Sequence, residues 1–260
     1  MSGTGTFRRV VRWTLGAIAA GVVLATVGFA VSWCLIDWTE TGADEYAGGR
    51  VLRDAAGCVL RVSLGAHDVD CRPSYRADPQ DWIVQAIVAS EDGTFWTHRG
   101  VRPLSVLRAA CQNVTTGRRV SGASTLSMQT VRLLAPHPKS LWWKCVEAIQ
   151  ALKMERRKDK LWILSQYLNR APFGSNFVGI EAAAQGWFGK GAKELGLGEA
   201  ACLAGMVQAP SRFRPDRALD AALARRAYVL DRMRKLGFIS DAQRAAAQSV
   251  RPVVCLAPRP

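Results

Sequence analysis

The chain has 260 residues, 49% of them hydrophobic and 22% charged, and a net charge of +14. That length suits one domain of about 200 residues plus a further segment, and the apolar share excludes an intrinsically disordered chain. The basic surplus favours anionic partners (phospholipid headgroups, pyrophosphates or nucleic acid), and charge alone does not choose among them. Seven cysteines are scattered without a C-x-x-C pair or a His at zinc-like spacing, which argues against a metal cluster. Cys58 and Cys71 flank a strand-like stretch and are candidates for a disulfide. Cys111, Cys145 and Cys202 sit in helical patterns and read as small core residues.

In chain order, residues 1–12 carry Arg8, Arg9 and Arg12, and no acidic residue occurs before Asp37. From Trp13 to Ile36 no residue is charged. As a helix this run spans about 36 Å, enough for a hydrocarbon core of about 30 Å. Trp13, Trp33 and Trp38 lie near its ends, as interfacial aromatics do. The expectation is a cytoplasmic tail over 1–12 and a retained transmembrane anchor over 13–36, with the rest of the chain exported. A cleaved signal peptide fits less well, because the run is long and Ser32-Trp33-Cys34 is a poor cleavage site.

Residues 37–77 form a membrane-proximal linker in which Val51-Leu52-Arg53, Gly57 and Val59-Leu60-Arg61-Val62 suggest a short β hairpin. Asp78-Pro79 signals a helix start, and Trp82, Ile83, Ala86, Ile87 and Ala89 follow at helical spacing until about Asp92. Pro103 opens a second helix, through Ala110. Ser124 starts a third, to about Leu134. Ser140 caps a fourth with Leu141, Trp142, Cys145, Ile149 and Leu152 on one face, and Asp159 caps a fifth that ends near Asn169. Further helices are expected over 177–187, 199–208, 216–236 and 240–248, with strand signals nearly absent after residue 75. The domain at 78–248 is therefore mainly α, and 249–260 reads as a tail.

Three segments can carry chemistry. Glu91 ends an apolar helix, where a partly desolvated carboxylate suits proton transfer; a solvated helix-end carboxylate is the plainer reading. Glu147 lies roughly opposite Cys145 and Ile149, hence away from the expected buried face, with Lys144 three residues earlier and in reach for an ion pair. Gly122-Ala123-Ser124-Thr125-Leu126-Ser127-Met128-Gln129 places small and hydroxyl residues at a helix start, which favours an anion or is simply a capped helix.

Together these segments resemble glycosyltransferase family 51, the peptidoglycan glycosyltransferase domain of class A penicillin-binding proteins and monofunctional enzymes. Glu91-Asp92-x-x-Phe95-x-x-His98-x-Gly100 resembles its first motif and Gly122 to Gln129 its second. Lys144-x-x-Glu147-x-x-x-Ala151-x-x-x-Glu155 resembles the third, and Tyr167-Leu168-Asn169-x-x-x-Phe173-Gly174 opens the fourth. Glu199-Ala200-Ala201 with Gln208-Ala209-Pro210-Ser211 resembles the fifth, and the match runs over roughly 75–235. The wording Arg170-Ala171-Pro172 is similar to the C-type branch.

The resemblance implies a mainly α, lysozyme-like fold beside the bacterial inner membrane, on its periplasmic side, with an N-terminal transmembrane helix. It implies polymerisation of lipid II onto a growing glycan strand, with Glu91 as general base and polyprenyl pyrophosphate as leaving group. Arg132, Lys139 and Lys144 would stabilise that leaving group. Glu147 would orient them or, alternatively, hold a divalent metal, Mg2+ or Mn2+; no organic cofactor is implied. Asp92, Phe95, His98, Ser124, Thr125, Gln129 and Asn169 would complete the substrate site. Cell-wall synthesis proteins are implied as partners, and nucleic acid is not. Arg132 stands where the family usually has Lys, Lys139 where it has Arg, Trp143 where it has Arg, and Trp162 where it has Glu. No S-x-x-K or K-T-G occurs, so transpeptidase activity is not expected. The rival readings are a non-catalytic cell-wall scaffold and a glycan-cleaving enzyme of lysozyme-like fold.

Overall fold

A computed structural model of the chain describes residues 26–38, 50–55, 59–65, 68–103 and 124–250, with isolated positions 13, 20, 21 and 23. The chain divides into two compact units, Met1–Thr39 and Glu40–Pro260. In the first, residues 26–35 are helical and mostly exposed. Among the described residues no helix is long and apolar enough to cross a membrane, and much of the expected 13–36 span lies outside them.

The second unit opens with the expected hairpin. Strand β1 (Arg50–Arg53) pairs antiparallel with β2 (Val59–Ser63), Val51 facing Val62 and Leu52 facing Arg61, with an irregularity at Leu52/Arg53. Helices follow. They are α1 (Trp82–Glu91), α2 (Leu126–Leu134), α3 (Leu141–Arg157), α4 (Lys160–Arg170), α5 (Ile180–Phe188), α6 (Leu197–Met206), α7 (Leu219–Lys235) and α8 (Asp241–Ser249). Helix α6 packs on α1 and α7, while α2 packs on α3 and α4. The core fills with Ile83, Ile87, Leu126, Met154, Leu164, Leu168, Ile180 and Leu203, none more than slightly exposed.

Caps explain most boundaries. The side chains of Thr125, Ser140, Asp159 and Ser240 each accept a backbone N–H of the following turn. Helix α1 starts later than the Asp78-Pro79 signal predicts. Asp78 instead accepts the Gln80 N–H at 2.8 Å in a turn, and the Tyr75 hydroxyl donates to Asp81 at 2.5 Å. The expected helix at 103–110 lies outside the described residues beyond Pro103.

Four expectations are corrected. A short parallel pairing of β3 (Asp70–Cys71) with β4 (Phe177–Val178) replaces the first turn of the helix expected from 177. Cys71 is a free buried thiol directed at the Asn169 carbonyl, 3.7 Å away, and its suggested partner Cys58 lies outside the described residues. Cys145 is exposed, as are Leu141 and Trp142, whereas Glu147 is buried. The inward face of α3 is instead Val146, Glu147, Ile149, Ala151 and Met154. The sequence pattern misassigned this face because the buried carboxylate is held by Arg132 of α2 as well as by Lys144 of its own helix.

Candidate active site

Helix α1 ends in two carboxylates of different fate. Glu91 is half-buried, and the Gln129 amide of α2 donates to its Oε2 at 3.3 Å. The Tyr167 hydroxyl donates to the same amide's oxygen at 3.2 Å. Burial pushes the Tyr167 hydroxyl well above its ordinary pKa; the nearby Glu91 charge adds to this and Arg132 offsets part. The end of α1 is also tied from α7, where Arg232 Nε donates to the Ala89 carbonyl at 3.0 Å.

Asp92 turns inward. Its Oδ2 lies 2.8 Å from His98 Nε2 and accepts the Leu126 N–H at 3.1 Å, while Arg102 stands 3.7 Å from Oδ1. The Gly100 N–H donates to His98 Nδ1 at 3.1 Å, so the ring proton belongs on Nε2, facing Asp92. Thr125 donates to the Gly100 carbonyl at 2.5 Å. These bonds fasten the 93–101 loop to the start of α2. Gly100 adopts φ +89°, and a Cβ there would come within 2.9 Å of the Ala151 backbone, so the loop crosses α3 at a point only glycine tolerates.

Below the loop, Glu155 accepts from Ser127 and from Lys160, the latter at 2.7 Å; Lys160 also donates to the His98 carbonyl at 2.8 Å and lies 4.4 Å from the Phe95 ring centre. Burial lowers the Lys160 pKa, with Glu155 opposing that shift. Phe95 is fully buried, so it shapes the loop from inside.

The second carboxylate, Glu147, has 1% side-chain exposure and faces Lys144, Arg132 and His137. Lys144 donates to its Oε2, Arg132 Nη1 lies 3.9 Å from Oε1, and His137 Nε2 lies 3.3 Å from Oε1. Lys144 also donates to the Ser124 hydroxyl at 3.1 Å. Arg132 and Lys144 keep 37% and 40% side-chain exposure, so their charges stay available to a ligand.

Ser124, Gln129, Arg132 and Lys144 thus gather around the two glutamates. Thr125, Asp92 and His98 fasten the 93–101 loop that follows Glu91. Asn169 is placed elsewhere: its amide accepts the Tyr75 N–H at 3.1 Å and donates to the Tyr75 carbonyl at 2.8 Å. Lys139 is exposed and makes no ion pair among the described residues. Sequence reasoning missed His137, Lys160 and the role of Glu155. The isolated Pro136-His137-Pro138 triplet before a capped helix was the available signal for the first.

Arg132 faces one oxygen of Glu147 and Lys144 the other, and among the described residues no three His, Cys, Asp or Glu side chains converge to hold an ion.

Residues 73–234 match the family model for the transglycosylase domain. The chain belongs to the transglycosylase family. Penicillin-binding protein 1C of Escherichia coli K12 is 47% identical over 176 residues, 68% of this chain and 23% of that protein. Penicillin-binding protein 1A of Aquifex aeolicus is 43% identical over 162 residues, 62% of this chain and 22% of that protein. A solved structure, penicillin-binding protein 1A of Haemophilus influenzae, aligns over 80% of this chain and 21% of its own, at 23% identity and a TM-score of 0.46. The chain therefore spans less than a quarter of the length of these relatives. The transglycosylase match includes every residue of both carboxylate clusters described above.

Proposed function

We propose that the chain is a peptidoglycan glycosyltransferase that polymerises lipid II into glycan strands at the extracytoplasmic face of the bacterial inner membrane. The observation that carries this reading is that one face of α2 joins the two carboxylates: Gln129 bonds Glu91, and Arg132, three residues on, pairs with Glu147.

The reaction needs a base at one end and cations at the other. Glu91 takes the proton of the acceptor 4-hydroxyl. That oxygen attacks the donor anomeric carbon from the face opposite the pyrophosphate, the C–O bond to the pyrophosphate breaks, and the configuration inverts. Negative charge grows on the departing polyprenyl pyrophosphate, where Arg132 and Lys144 stabilise it in a partly desolvated setting. Glu147 keeps these two cations together. The exposed Leu141 and Trp142, on the helix that carries Lys144, suit contact with a bilayer holding both lipid-tailed substrates.

Purified protein supplied with fluorescent lipid II in detergent should give a ladder of glycan products. Glu91→Gln should remove about 10²–10⁴-fold of that rate, the range of a lost general base, without unfolding the protein. A folded wild type that makes no polymer would move the reading to a non-catalytic cell-wall scaffold.

A further inference from the structure

His137 is not accounted for by the reaction as described. It lies in the loop between α2 and α3, with Pro136 and Pro138 on either side. Proline fixes its own φ and restricts the residue before it, so this loop presents His137 with little backbone freedom. The imidazole stacks flat on Trp143, with ring centres 4.6 Å apart and planes 9° from parallel. Its side chain is only 7% exposed, and Nε2 points at Glu147 Oε1 from 3.3 Å. Nδ1 lies 3.2 Å from the Pro138 carbonyl. Nε2 has no well-angled hydrogen-bond partner among the described residues, an uncommon state for a buried ring nitrogen.

Glu147 needs help to stay where it is. Lys144 holds one oxygen, but the other faces Arg132 only at 3.9 Å. A buried carboxylate is costly unless its remaining lone pairs are satisfied, so the loosely held oxygen depends on a further partner. A ring clamped between two prolines and an indole limits that movement. Trp143 stands where the resembled family usually has an arginine, so at this place the chain has an aromatic platform under a second nitrogen base.

We infer that His137, held on Trp143, is a positioning residue for the pyrophosphate end of the site: it fixes Glu147, and through Glu147 the spacing of Arg132 and Lys144. This rests on reading that cluster as the pyrophosphate end.

The test uses the full chain in detergent and two readouts, calorimetric affinity for inorganic pyrophosphate and polymerisation of fluorescent lipid II. His137→Ala should weaken pyrophosphate binding and lower kcat/KM together, by about ten- to a hundredfold, as loss of an outer partner of a charged site does. His137→Gln places an amide nitrogen near the position of Nε2 and should restore most of both. Trp143→Phe keeps an aromatic face under the ring and should lose less of both than Trp143→Leu, which should act like His137→Ala. On a Glu147→Gln background, His137→Ala should add little, because the two act as one unit. If His137→Ala does not fold, the Gln and Trp143 variants decide the matter alone. Pyrophosphate affinity that ignores His137, or a Gln variant no better than Ala, overturns the inference. Polymer made by a protein with His137-independent affinity would keep the glycosyltransferase reading and remove this one. His137-dependent pyrophosphate binding without polymer would do the reverse.

Discussion

Glu91 and Asp92 are consecutive carboxylates, yet only Asp92 is closed off from solvent. The division follows from the end of α1. Asp92 has left helical geometry at φ −152° and ψ 74°, which turns its side chain inward to His98 and the α2 N-terminus, while Glu91 stays on the helix beside Gln129. A buried acid with two partners holds the loop, and its half-exposed neighbour stays beside Gln129 of α2. Asp92→Ala should therefore act mainly on folding. It strands His98 and the Leu126 N–H, and should cost about 3 kcal/mol in urea unfolding, as breaking a buried pair does. Sequence reasoning grouped Asp92 with the substrate residues because a motif records which residues recur and not which way they point. The Lys144–Glu147 pair was legible, since the two lie three residues apart on one helix. His137 and Lys160 were not, because their partners lie on other segments and no short-range pattern links them.

At the scale of elements, the helices were legible where apolar periodicity and a capping side chain coincided, as at Ser140 and Asp159. They were shifted where a turn used the same residue types, as at Asp78. The β3–β4 pairing escaped notice because each strand is two residues long and the pairing is set by α5. Gly179 opens that helix at φ +84°, where a Cβ would stand 2.6 Å from the Asn169 carbonyl oxygen. The backbone strain and the clash add, so Gly179→Ala should lower stability by about 3 kcal/mol, seen as a fall in the urea midpoint. Helix α2 connects the two carboxylate clusters. Residues 129 and 132 are separated by about 4.5 Å along its axis, so the Gln129 contact to Glu91 and the Arg132 contact to Glu147 are spaced by a rigid rod. An insertion of one residue between them would rotate one side chain by about 100° and part the two ends of the site.

For the molecule as a whole, two thiols give a pH signature. Burial pushes Cys71 and Cys202 each from an ordinary 9.0 up to about 11. Below pH 9 both are protonated folded or unfolded, and the stability they contribute is fully present. Above pH 9 the unfolded chain ionises first, so stability falls as pH rises and this contribution is lost through about pH 11. Urea midpoints at pH 8 and pH 10 should show the decline, and a Cys71→Ala, Cys202→Ala double variant should flatten it. Buried tyrosines Tyr75 and Tyr167 act in the same direction at higher pH.

The buried Arg226 of α7 donates to the carbonyls of Gln248 at 3.1 Å and Val250 at 2.8 Å, beyond the end of the family match at residue 234. Removing those acceptors leaves a guanidinium enclosed and unsatisfied on the same helix whose Arg232 ties down the approach to Glu91. A fragment excised at the family boundary would thus be loosened at the end of α1 by a cut made far along the chain, and a well-behaved minimal unit for crystallisation or inhibitor screening should retain the chain through Val250.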